Sequence, residues 1–189
     1  IKKYVSYIES ISTNHLTDWG LGDWVPVRSK RNITLTSSIY YYTDVCILAK
    51  AARLFGYAED ASYYNTLAQK IKEAINTSFL NKETGIYAEG TQTELAMPLY
   101  WGIVPEEDKK KVAARLHELV EKDDYHLDVG LYFPPCQITD MQKQLTKSHH
   151  KTPILPGGTG SNKVLQLYMK IGGQMSLSTT HITILCSEK

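Results

Sequence analysis

At 189 residues the chain has the size of a single domain and is long enough to bury a real core. Its 21 basic and 20 acidic side chains leave a net charge of +1, which excludes an electrostatic case for nucleic acid or a membrane surface as partner. No apolar run approaches a membrane span, and the opening IKKYVSYIES lacks the continuous apolar stretch of a signal peptide.

Tyr4, Val5, Ile8 and Ile11 fall at helical spacing, and this first element begins without a cap, as if entered in the middle of a longer chain. Next comes TDWGLGDWVP, Thr17 to Pro26, in which two Trp, two Asp and two Gly crowd into ten residues. Glycine permits backbone shapes that a side chain forbids, and Pro26 fixes its own φ, so the segment reads as a shaped loop. Trp19 and Trp24 offer flat apolar faces, while Asp18 and Asp23 offer acceptors. Such a set suits a sugar, whose C–H faces stack on aromatic rings while its hydroxyls seek hydrogen-bond partners. The plainer alternative makes both Trp core packing and both Asp turn or cap residues.

ITLTSS leads into a helix predicted from about Ser37 to Phe55, with Ile39, Tyr42, Val45, Cys46, Ala49, Ala52 and Arg53 marking its turns and Gly56 at its C′ position. Tyr57 to Leu80 repeats the pattern through Ala61, Tyr64, Leu67, Ala68, Ile71, Ile75 and Phe79, and NKETG then reads as a turn. Thr91 to Trp101 predicts a short helix interrupted by Pro98. Pro105 suits a first helical position, followed by Glu106, Glu107 and Asp108 near the positive end of the dipole, and the apolar pattern runs on to Lys122. Helices of similar length joined by loops that carry the special residues predict an all-α array of helical hairpins.

From Tyr132 onward the chain shows neither helical nor strand periodicity, apart from one short strand pattern at Thr179 to Leu185. GGTGSNK lacks the four-residue gap of a phosphate loop, and the adjacent His149 and His150 point apart in any regular element. Cys46 falls in a helix and Cys136 and Cys186 in the tail, so the three form neither a metal spacing nor a disulfide framework. No metal site and no cofactor follows.

GLGDW, then LFGYAEDASYYNTLAQKIKEAINTSFLN, TELAMPLYWGIVPEE and HLDVGL, in that order, resemble the catalytic domain of family 78 glycoside hydrolases, the α-L-rhamnosidases. The resemblance covers Ile1 to about Leu131. It implies that residues 1–131 are part of an (α/α)6 toroid, a six-hairpin fold whose inner-helix loops form the sugar site, followed by an irregular tail at 132–189. It further implies that Trp24 walls the terminal sugar, that Asp23 hydrogen-bonds a hydroxyl or holds the loop, and that Trp19 and His126 lie at the same end. His126 and Asp128 as loop-capping residues remain the alternative. The implied partner is a rhamnose-containing glycan or glycoside.

Enzymes of this kind resemble the inverting template, in which one carboxylic acid protonates the leaving oxygen and a second carboxylate, roughly 6.5 to 9.5 Å away, activates water. The resemblance puts the acid upstream of GDW, before Ile1, and the water-activating Glu in a GATTLWE-type motif downstream of HLDVG that this reading frame does not spell. No catalytic residue is therefore assigned in this chain. Two other functions fit the same residues: a noncatalytic helical carbohydrate-binding or scaffold module, and another (α/α)6 glycosidase or lyase, since the fold does not fix the chemistry.

The tail reads as the product of a slipped frame. Joining the third base of each codon to the first two of the next, from Lys151 to Gly173, allows DTYPSWGYWIEQGATTLYENWG, which is similar to the missing family segment. The Glu of TLYE is forced, because the codon of Met169 ends in G and that of Lys170 begins AA. The same frame allows NNGYAEA around Gln137 to Gln144 and NHIMFGE from Thr183 to Lys189, which puts the slip near Leu131 to Pro134. Sequencing the DNA through this region is expected to find these words in the alternative frame; a stop codon there, or their absence, refutes the slip.

Overall fold

The computed structural model describes residues 1–23, 26, 32–124 and 128–130, and the expected irregular tail lies outside them. The described chain is helical apart from one small hairpin: α1 (Lys2–Ile11), α2 (Ile33–Leu54), α3 (Ala58–Phe79), β1 (Leu80–Asn81), β2 (Ile86–Tyr87), α4 (Gln92–Tyr100) and α5 (Lys109–Lys122). Among the described residues no helix is long and apolar enough to cross a membrane.

The most extensive helix pairing is between α2 and α3, which form a hairpin through Phe55, Gly56 and Tyr57. Gly56 stands at C′ as expected, and the Tyr57 N–H reaches back to the carbonyl of Ala52 at 2.8 Å, closing the helix end. The apolar stripe of α3 is the predicted one, with Ala61, Tyr64, Leu67, Ala68, Ile71 and Ile75 buried. In α2 burial goes well beyond the predicted stripe and takes in Thr36, Ser37, Ser38, Tyr41 and Thr43 as well as Leu35, Ile39, Val45, Leu48, Ala49 and Ala52. Buried threonine hydroxyls of this helix bond to its own backbone: Thr43 donates to the carbonyl of Ile39 at 2.9 Å and Thr36 to that of Asn32 at 3.0 Å, whereas the buried Tyr41 hydroxyl meets no hydrogen-bond partner among the described residues.

The start of α2 lies four residues ahead of the predicted Ser37. The Asn32 side chain accepts the N–H of Leu35 at 2.9 Å, and this cap draws the β-branched ITLT into the helix. At α5 the difference runs the other way. The Asp108 N–H bonds to the Pro105 carbonyl at 3.0 Å in a tighter turn, and the regular helix is counted only from Lys109.

α1 docks through Val5 and Ile8, both about 1% exposed. Tyr63 on α3 donates to the Glu9 carboxylate at 2.7 Å, an acceptor bond that pushes the phenol up to about 12, and Lys2 pairs with Asp60 at 2.7 Å. NKETG is the turn of the β1–β2 hairpin, where Asn81 Oδ1 accepts the N–H groups of Glu83 and Thr84 at 3.0 and 3.1 Å. The Tyr87 hydroxyl donates to Asn76 Oδ1, and Asn76 Nδ2 donates to the carbonyl of Ile103 at 2.9 Å, so one buried contact chain ties the hairpin and the α4–α5 connection to α3.

α4 opens with a capping box. Thr91 Oγ1 accepts the Glu94 N–H at 3.3 Å, and Glu94 Oε2 accepts the N–H groups of Thr91 and Glu89, each at 3.1 Å. Burial to 1% exposure pushes the Glu94 carboxyl up and outweighs the hydrogen bonds from Thr91 and Glu89 that pull it down.

Truncating Ile71, which is fully buried, to Ala is expected to cost about 2–5 kcal/mol in urea denaturation, whereas Leu54→Ala, at 81% exposure, should stay within about 0.5 kcal/mol of wild type. For Glu94 the raised folded-state pKa means that its protonated form is the one the fold prefers. Its contribution is complete below the unfolded carboxyl value of about 4.3 and is lost as pH rises through the folded value. Comparing wild type with Glu94→Gln across acid to neutral pH should therefore show the balance moving toward Gln as pH rises; a constant difference would refute the linkage.

Candidate functional site

The loop from Thr17 to Asp23 is held onto the first turns of α2. The Thr17 N–H donates to Ser38 Oγ at 3.0 Å, and the Ser38 hydroxyl donates back to the Thr17 carbonyl at 3.3 Å. The two glycines answer to local constraints. A Cβ on Gly20 would lie 2.7 Å from Ser37 Oγ, and Gly22 sits at φ +68°, in the left-handed region, with Ile33 Cγ1 3.1 Å from where its Cβ would be. This loop therefore lies close against α2 because side chains are missing at these two positions.

Trp19 is half exposed at 49% and meets Tyr4 and Tyr7 of α1 edge to face, with both centroid separations 5.8 Å and interplanar angles of 60° and 83°. The three rings form an aromatic surface on the flank of α1. Trp24 and His126 lie outside the described residues.

Asp23, by contrast, is buried, with 5% of its surface exposed. The Thr93 hydroxyl donates to Asp23 Oδ2 at 2.5 Å, and the Gly130 N–H lies 2.9 Å from both Oδ1 and Oδ2. Thr93 belongs to the first turn of α4, and Gly130 to the HLDVG segment. One carboxylate thus joins three segments that are 70 and 107 residues apart in sequence. Beside it, the fully buried Gln92 accepts the Asp128 N–H at 3.1 Å and donates to Asp123 Oδ2 at 3.0 Å. The first turn of α4 therefore grips both sides of residues 125–127, the stretch that contains His126.

Gln92, Thr93 and Gly130 carry no signal that singles them out in the sequence. Thr93 and Gly130 sit in words that stand out, TELAMPLY and HLDVG, and Gln92 just before the first, but nothing in those words says that they converge on Asp23 and Asp128. Chemically, the arrangement is a set of buried acceptors and donors that fix loops. Glu94, the nearby buried carboxyl, commits Oε2 to the N–H groups of Thr91 and Glu89, while its Oε1 is buried with no hydrogen-bond partner among the described residues.

Compared with known proteins, the chain matches the family model described as the bacterial alpha-L-rhamnosidase 6 hairpin glycosidase domain over residues 1–148. It is similar to the solved alpha-L-rhamnosidase of Dictyoglumus thermophilum, with a TM-score of 0.67 and 33% identity over 79% of this chain and 17% of that one. It is also similar to the Streptomyces avermitilis alpha-L-rhamnosidase solved in complex with L-rhamnose, with a TM-score of 0.69 and 26% identity over 76% of this chain and 14% of that one. A curated alpha-L-rhamnosidase of the same organism is 26% identical over 136 residues, 71% of this chain and 13% of the relative's length. The chain thus spans less than a fifth of each of these proteins, and its helical hairpins correspond to part of an α/α toroid. On the match that covers most of its length, the chain belongs to the bacterial alpha-L-rhamnosidase six-hairpin glycosidase family.

Proposed function

We propose that this chain is part of the catalytic domain of a glycosidase that hydrolyses terminal α-L-rhamnose from glycosides by inversion, and that the chain alone is inactive. The observation that carries this reading is the family match over residues 1–148, supported by the similarity to solved alpha-L-rhamnosidases. In this proposal residues 1–131 contribute one wall of the sugar site, which Asp23, Trp24, Trp19 and His126 serve, and the sequence beyond the family match, residues 149–189, adds no family sequence in its present frame. The aromatic faces take the apolar side of the sugar ring, and the two carboxylates that inversion requires come from parts of the domain outside this chain. Asp23 is not one of them, since its oxygens already accept from Thr93 and Gly130.

A longer chain that includes the upstream segment and the restored frame is expected to release the aryl alcohol from an aryl α-L-rhamnoside and not from other aryl glycosides, while the 189-residue chain releases none. Trp24→Ala in the longer chain should lower kcat/KM by about tenfold, the scale of one aromatic contact. Preference of the longer chain for a different aryl glycoside would overturn the substrate, and turnover by the 189-residue chain would overturn its inactivity.

A further inference from the structure

We infer that Asp23 is a positioning residue: its carboxylate latches the loop that ends at Asp23 to the HLDVG segment across the first turn of α4, and it gives its oxygens to the protein rather than to a sugar. This deepens the sugar-site reading and rests on it for the roles of Trp24 and His126. The latch itself stands on described contacts alone.

Three observations carry it. First, Asp23 is 5% exposed, and both carboxylate oxygens lie 2.9 Å from the Gly130 N–H, with Thr93 Oγ1 2.5 Å from Oδ2. A carboxylate held this way is spent on the protein's own donors, and bonds to an ionised acceptor are about twice as strong as neutral ones. Second, the donors belong to two different segments, so the carboxylate is the point at which the loop before α2, the start of α4 and the end of the described chain meet. Trp24 follows Asp23 directly in the chain. Third, Gln92, next to Thr93, pins Asp123 and the Asp128 N–H, fixing both flanks of residues 125–127 to the same helical turn. One turn of α4 thereby serves as the common mount for both loops.

The rest of the Thr17–Asp23 loop points the same way. It is fastened to α2 by the reciprocal Thr17–Ser38 bonds and by the close approach of Gly20 to Ser37, so Asp23 is presented from a supported stem rather than a free strand. A side chain meant to meet ligand hydroxyls would keep its oxygens accessible. This one gives them to a threonine and a backbone amide.

The test uses the 189-residue chain labelled with 15N and with 5-fluorotryptophan, and it requires no sugar. The three Trp residues give three fluorine resonances, with that of Trp24 assigned through Trp24→Phe. In Asp23→Ala, the Gly130 amide should exchange about tenfold or more faster, as expected for loss of a bond to a charged acceptor. The Trp24 resonance should move while that of Trp101 stays, and α3 amides such as Ile71 should keep their protection. Thr93→Ser, which retains the hydroxyl, should behave as wild type, and Thr93→Val should reproduce a smaller version of the Asp23→Ala changes. If Asp23→Ala does not fold, the contrast between Thr93→Val and Thr93→Ser decides on the same two signals. Unchanged Gly130 exchange and an unmoved Trp24 resonance, in whichever variant folds, overturn the latch. Failure of an aryl rhamnoside to be cleaved by the longer chain would instead overturn the sugar-site reading and leave these signals as they are.

Discussion

The burial of α2 is the constraint on which the rest of the structure depends. A surface helix hides one stripe, but α2 hides residues all round its first half, hydroxyls included, because α1, α3 and α4 and the Trp-containing loop all lean on it. Its Ser and Thr residues are the means of that burial. They are small enough to let neighbours approach, and their hydroxyls bond to the helix backbone or to the loop, so few polar atoms are stranded. A helix of this kind belongs on the inside of an assembly of hairpins, and the Trp-containing loop rests on its N-terminal turns.

Much of this is legible in the residues, for definable reasons. The period of α3 is clean because one side of it faces solvent, so Ala61 through Ile75 mark it correctly. Gly56 and the NKETG turn announce themselves through residue types whose backbone demands are strong. The start of α2 is less readable, since ITLT has the composition of a strand and only the cap contributed by Asn32 turns it into helix. The family is legible from words in order, GLGDW, TELAMPLY and HLDVG, and the match over residues 1–148 bears that out.

What the residues leave open is the division of labour inside the Trp-containing loop. From sequence Asp18 and Asp23 are equivalent acceptors. Folding separates them, because Asp23 enters the interior and meets Thr93 and Gly130, partners too distant along the chain for any local pattern to betray. Trp19 likewise looks like a twin of Trp24, yet it lies against Tyr4 and Tyr7 on the flank of α1. Gly20 and Gly22 let the backbone between Trp19 and Asp23 pass close to α2, where a side chain at either position would clash.

The Asp23–Gly130 contact spans 107 residues, by far the greatest reach of the hydrogen bonds that organise this region. Joining such distant segments carries a large chain-entropy cost that is met only once the helical hairpins between them have closed. By this logic the bond closes after those hairpins, and whatever it contributes beyond the transition state slows the opening of the loop arrangement rather than speeding its assembly.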